Sequence, residues 1–186
     1  MSDESTTDTT EDAELAQDGA SEDQADEPVG AQLHGAAMTS SFGQTVLHVD
    51  VEHYLELMTT LRDAGFNQVI DLCGMDAVDL PRPDVPAAVA TERFEIVVNL
   101  INYGSGERIR VRAQVADGVE IPTLFDLWPG TEAMEREAFD MFGVVFCDHP
   151  DMSRILMPED WVGFPLRKDF DIGRIPVQFK DAPGRS

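Results

Sequence analysis

The chain has 186 residues, a sequence pI near 4.2 and a formal net charge of -23, carried by 36 acidic and 13 basic side chains. Its length fits one domain with tails. The charge argues against nucleic acid, which is held by basic patches, and against unaided docking on anionic lipid. No apolar run approaches the roughly 18 residues of a membrane span, and the acidic N-terminus lacks the basic and apolar regions of a signal peptide.

There are two cysteines, Cys73 and Cys147, and no C-x-x-C. Two thiols cannot ligate an iron–sulfur cluster that needs four, and they give no disulfide framework. The expectation is a soluble, cytoplasmic chain that meets a membrane only through a partner.

Residues 1–28 hold eleven acidic side chains and no basic one. Residues 1–42 offer little to bury and read as a disordered, solubilising acidic tail. Asp50 then caps a helix, with Val51, Tyr54, Leu55, Met58 and Leu61 recurring at helical spacing and Gly65 as its stop. Phe66 to Leu72 reads as a strand. Cys73 to Thr91, with Pro81, Pro83 and Pro86, reads as an irregular connection at an interface or in motion.

Phe94, Ile96, Val98 and Leu100 alternate along a strand. Tyr103 to Gly106 turns, and Ile109, Val111, Ala113 and Val115 alternate with Arg108, Arg110 and Arg112. Those arginines at period two suit either a phosphate or carboxylate ligand, or a sheet face paired to acids such as Glu95. Ile121-Pro122-Thr123 opens a short helical turn through Trp128, with Thr123 as its cap. Thr131 caps a helix from Glu132 to Phe142, Gly143 ends it, and Val144 to Phe146 is a last strand. The order predicts an α+β fold, a two-layer domain with a mixed, largely antiparallel sheet packed by helices. That domain spans 43–147, and 148–186 forms an extended C-terminal arm.

In the helix 132–142 each residue turns about 100°. Met134, Ala138, Met141 and Phe142 share one arc, while Arg136 and Asp140 lie opposite. Glu132–Arg136 and Arg136–Asp140 are i,i+4 pairs. Glu135 falls inside the apolar arc, where a carboxylate must be paired or protonated. It is either a general acid or base with a raised pKa, or an anchor for an arginine or backbone amide of the arm.

Other chemistry is sparse. Asp148, His149 and Asp151 hint at a metal, but no second His or Cys has useful spacing. There is no P-loop, no G-x-S-x-G and no dinucleotide fingerprint. The arm carries Ile155, Leu156, Met157, Trp161, Phe164, Leu166, Phe170, Ile172, Ile175, Val177 and Phe179 among prolines and charges, a composition that suits a partner groove.

Glu135-Arg136-Glu137-x-x-Asp140-Met141-Phe142-Gly143, His149-Pro150-Asp151, Arg154-Ile155-Leu156, Trp161-x-Gly163-x-Pro165 and Arg167-Lys168-Asp169 follow one another at long, specific spacing. This stretch resembles the signature of the thirty-kilodalton subunit of proton-pumping NADH:quinone oxidoreductase, respiratory complex I. Ala133, Ser153 and Phe164 depart from it, standing where that family commonly has an aromatic, a basic residue and a histidine.

The resemblance implies a non-catalytic subunit of the peripheral arm, with no cofactor or metal of its own. FMN, iron–sulfur clusters, NADH and quinone would be held by partner subunits. Its partners would be the quinone-site subunit and the terminal iron–sulfur subunit, on the cytoplasmic face of the cell membrane. Glu135, Arg136, Glu137, Asp140, His149, Pro150, Arg154, Trp161, Pro165, Arg167, Lys168 and Asp169 would then shape a partner interface. Two alternatives stand beside it: the equivalent subunit of a membrane-bound hydrogenase or other donor:quinone oxidoreductase, and a free-standing enzyme using Glu135 or His149.

Overall fold

A computed structural model describes residues 31–171. Residues 1–30 and 172–186 lie outside the described residues, and with them most of the expected tail and Ile172, Ile175, Val177 and Phe179 of the expected arm.

The strands are β1 (Gln32–Leu33), β2 (Ala36–Ser41), β3 (Gln44–Asp50), β4 (Gln68–Asp76), β5 (Phe94–Ile101), β6 (Arg108–Val115), β7 (Ile121–Pro122) and β8 (Phe146–Cys147). The helices are α1 (Val51–Asp63) and α2 (Glu132–Phe142). The first six strands form one sheet in the order β1-β2-β3-β6-β5-β4. All its pairings are antiparallel except β3 with β6, where α1 and the β4–β5 excursion intervene. The fold is therefore α+β with a mixed, mainly antiparallel sheet.

Alternation places each strand's apolar set on one face. In register, Leu47, Val111, Val98 and Leu72 form one row across four strands, and Val49, Ala113, Ile96 and Gly74 form the next. Tyr54, Leu57, Met58 and Leu61 of α1 are buried against this face. They are spaced i, i+3, i+4 and i+7, so Leu57 takes the place expected for Leu55, which is 42% exposed. Helix α2 packs over β4. Gly74 permits that approach, because a Cβ there would stand 2.7 Å from the Phe142 ring.

Asp50 caps α1, its carboxylate accepting the His53 amide at 2.9 Å. Thr131 stands at the N-cap of α2, but its hydroxyl donates to the Trp128 carbonyl instead of capping. Gly143, at φ 80°, ends that helix.

Three boundaries differ from expectation. Residues 31–42 read as acidic tail for want of large apolar residues. They carry β1 and β2, because β2 pairs with β3 and β1 with β2, and Leu33, Ala36 and Met38 suffice to seat them on the core. Strand β4 runs on to Asp76, since Cys73, Gly74 and Met75 still pair with β5. Ile121–Pro122 pairs in parallel with Phe146–Cys147, so the helical turn begins only at Leu124, whose carbonyl accepts the Leu127 and Trp128 amides.

The opposite sheet face is polar. Glu95 is fully buried and accepts bonds from Arg82, Arg112 and Gln114, and Arg112 also pairs with Asp84. Arg110 donates to Asn99 at 3.0 Å. Of the two readings of the arginine row, pairing to Glu95 is the one Arg112 realises. The proline-rich connection lies over this face through Arg82, Asp84 and the buried Val85.

Candidate functional site

Two carboxylates on one helix organise the signature stretch. Glu135 and Asp140 are both 0% exposed, yet they face different neighbours. Five residues separate them, about 500° of helical turn, so their directions differ by roughly 140°.

Glu135 points into the domain, as its place on the wheel requires. One oxygen accepts the Thr123 hydroxyl and the other accepts the Leu124 amide at 2.8 Å. It therefore holds the turn after β7 and, among the described residues, takes no arginine or amide of the arm, unlike the anchoring role that is one of its two expected readings. His149 Nε2 stands 3.9 Å from it, beyond hydrogen-bond reach. Burial raises the Glu135 pKa, and the bonds from the Thr123 hydroxyl and the Leu124 amide oppose that rise. The Asp151 amide donates to His149 Nδ1 at 3.1 Å. The His149 proton must then sit on Nε2, which donates to the Glu132 carbonyl at 3.2 Å. Neither the Glu135 nor the His149 side chain reaches solvent. Such a pair suits structural anchoring, because no reactant can approach it.

The helical wheel puts Asp140 on the solvent side, paired with Arg136. The segment 151–170 instead folds across that side of α2 and buries it. Asp140 Oδ2 accepts three consecutive amides, Ile155, Leu156 and Met157, at 3.1, 2.8 and 2.8 Å. Its Oδ1 takes Arg154 Nη1. Burial works against the charge, but the Met157 amide, Arg154 and the Leu156 and Ile155 amides outweigh it. The carboxyl sits below its ordinary range. Arg154 also reaches the Gly163 carbonyl at 3.0 Å and lies 5.3 Å from the Phe164 ring. Phe164 in turn fills the space left by Gly143, where a Cβ would meet the ring at 2.6 Å.

Arg136 pairs with Glu132 at 3.1 Å, as predicted, and also holds the start of the arm. It donates to the Ser153 carbonyl, the Ser153 hydroxyl and the Arg154 carbonyl at 3.1, 2.9 and 3.2 Å. Ser153, one of the departures from the family pattern, thus supplies an acceptor. Glu137 and Pro150 are exposed, and Pro165 is half-buried.

The second cluster receives Arg167-Lys168-Asp169. Arg167 donates to both oxygens of Asp117 at 3.1 and 2.6 Å. The Lys168 amide donates to buried Asp76 at 2.9 Å, while the residue as a whole is exposed. Arg93 joins Asp76, Asp117 and Asp169 at 3.0, 2.9 and 2.9 Å. Both guanidinia lie close to the Phe94 ring, at 4.9 and 5.0 Å. Sequence reading missed Asp76, Arg93 and Asp117. The Lys168–Asp76 contact spans 92 residues and the Arg167–Asp117 contact spans 50, so no local spacing announces them.

Most of the motif's polar side chains are therefore spent inside the chain, and several apolar ones in the same stretch remain outside. Ile155, Leu156, Val162 and Leu166 are exposed. Beside them, Trp161 stacks on Phe170 at 6.4 Å and lines a groove of about 620 Å³ with Val162, Phe164 and Arg167. Among the described residues there is no group of three His, Cys, Asp or Glu that can hold a metal. Among them too, no helix is long and apolar enough to cross a membrane.

Known proteins resemble this chain in sequence and fold. The family described as "Respiratory-chain NADH dehydrogenase, 30 Kd subunit" matches residues 47–175, which include every motif above. The C subunit of NADH-quinone oxidoreductase from Rhodopseudomonas palustris strain TIE-1 is 40% identical over 156 residues, covering 82% of this chain and 72% of that protein. A solved trypsin-resistant fragment of Nqo5 is 32% identical with a TM-score of 0.56, covering 63% of this chain and 89% of the fragment. A chain of an archaeal membrane-bound sulfane sulfur reductase shares the fold at 21% identity and a TM-score of 0.59, covering 81% of this chain and 90% of that one. With its signature helix, its docked C-terminal stretch and this breadth of likeness, the chain belongs to the thirty-kilodalton subunit family of respiratory-chain NADH dehydrogenase.

Proposed function

We propose that this chain is a non-catalytic scaffold in the peripheral arm of a proton-translocating NADH:quinone oxidoreductase. Its C-terminal arm grips the quinone-site subunit and the neighbouring terminal iron–sulfur subunit on the cytoplasmic face of the membrane. Cluster and quinone are thereby kept within electron-transfer distance. FMN, the clusters, NADH and quinone would reside in partner subunits of the complex and not in this chain. One observation carries the reading: Arg136, Asp140, Arg154 and Arg167 are consumed in shaping the arm, leaving Ile155, Leu156, Val162 and Leu166 on its surface. Exposed apolar groups on a polar-braced segment suit a docking surface.

The test is co-purification of the tagged full-length chain from membranes. Leu156→Asp with Val162→Asp leaves the domain's melting temperature unchanged and removes the other subunits and their NADH:quinone reductase activity. Normal activity in membranes of that strain rejects the scaffold reading. The likeness to the sulfane sulfur reductase chain supports a second reading, the same subunit in a complex fed by another donor. Recovery of the quinone-site subunit without any NADH- and flavin-binding subunit decides for it.

A further inference from the structure

We infer that the turn tips carrying Phe42 and Tyr103 form a second docking surface, at the end of the sheet opposite the arm. They seat in an uncharged, apolar pocket of another subunit of the same complex. Phe42 occupies the two-residue turn between β2 and β3 at φ 51°, followed by Gly43 at φ 73°. Such turns select Asn, Asp or Gly, and an aromatic residue at positive φ is an outlier. Its side chain is fully exposed, so packing among the described residues does not explain it either. Tyr103, in the turn between β5 and β6, is 67% exposed.

Topology brings the two tips together. Strands β3 and β6 are parallel neighbours with Thr45 opposite Ile109, so the turns that precede them share one end of the sheet. A shallow groove of about 440 Å³ lies between them, lined by Gly43, Gln44, Thr45, Gly106, Glu107 and Arg108. The arm is braced at the other end, on Asp76, Phe94 and Asp117. Strands of this length separate the two ends by roughly 25 Å.

Charge selects the partner. In a chain with 36 acidic residues, no Asp, Glu, Lys or Arg occurs between Glu27 and Asp50 or between Glu95 and Glu107. Anionic lipid and nucleic acid require cations, which the tips lack. The charges nearest the tips, Glu107 and Arg108 in the groove, are adjacent and of opposite sign, so the surface offers a charged protein face no net charge to pair with. Loss of charge and gain of aromatics mark the centre of a protein interface. Two rings bury far less than the roughly 1,200 Å² of a stable complex. The tips therefore act together with the arm, and two sites held at fixed distance strengthen one another. That the partner is a fellow subunit rests on family membership; the surface itself is independent of the arm.

The experiment compares tagged full-length chains carrying Phe42→Asn, Tyr103→Ser or both. Asn suits the turn, so Phe42→Asn melts at or above the wild-type temperature. The double variant recovers at least ten-fold less of the fellow subunits from detergent-solubilised membranes in high salt, which spares apolar contacts. Wild-type recovery by the double variant overturns the proposal, as does a recovery loss that merely tracks a lowered melting temperature. Phe42-dependent dimers of the purified chain in sedimentation, or Phe42-dependent flotation with zwitterionic vesicles, also overturn it by naming a different occupant. Leu156→Asp in the same assay reads the arm alone, so failure of either surface is visible separately.

Discussion

The sheet domain and the C-terminal arm are built on different principles. The domain is held by rows of apolar side chains such as Leu47, Val111, Val98 and Leu72, all at most 4% exposed. The arm from 148 to 171 has no helix or strand, and Ile155, Leu156, Val162 and Leu166 face outward. Three carboxylates of the domain hold it: Asp140 through a run of amides, Asp76 through the Lys168 amide and Asp117 through Arg167. Hydrophobic burial is non-directional and tolerates sliding. Carboxylates that accept particular amides fix a path residue by residue. The domain is thus made to be stable, and the arm is made to hold one shape.

The largest way to break this contrast is Asp140→Ala. It leaves Arg154 without its partner and three amides without an acceptor, a loss of about 3–5 kcal/mol. Amide exchange at 155–157 rises to that of an open segment, while exchange in β5 and β6 stays slow. Leu47→Ala does the reverse. It opens a cavity in the core and lowers global stability by about 2–5 kcal/mol in denaturant melts, with no selective release of the arm.

Acid separates the regions by the pH at which each weakens. His48, buried on the polar sheet face, has its pKa lowered to about 4 by burial and by Arg112. The unfolded chain binds that proton first, so the domain loses stability as pH falls from about 6.5 towards 4. Asp140 is depressed below the ordinary carboxylate range. Its contribution is complete above about pH 4 and is lost as pH falls through its lower value. Glu135, raised by burial, has the opposite sign, and its protonation on acidification favours the folded state. Melting temperature therefore falls before arm protection does, and His48→Gln flattens the first phase only. The smallest effect is Glu132→Ala, which removes an i,i+4 pair worth about 0.2–0.5 kcal/mol and leaves Arg136 on the arm's carbonyls.

The same contrast explains what was legible in the sequence. Periodicity announced α1, α2 and the β5–β6 hairpin, because each buries a regular face. It also isolated Glu135 as an interior carboxylate. It misplaced Asp140, since a helical wheel has no knowledge of a second layer that arrives from later in the chain. Residues 31–42 escaped because pairing at a sheet edge leaves little trace in hydropathy. Asp76, Arg93 and Asp117 escaped because each meets its partners across long separations. The family signature spans the arm's side of these contacts, and the receiving carboxylates Asp76 and Asp117 lie outside it.

Asp140 also has a consequence for the order of events in biogenesis. The path of the arm is written by groups that exist only once α2 has wound and the ends of β4 and β6 are in place. A partner that recognises the arm's surface therefore recognises a finished domain. On the scaffold function proposed above, the docking step doubles as an inspection, in which unfinished or damaged copies are passed over before they enter a large assembly.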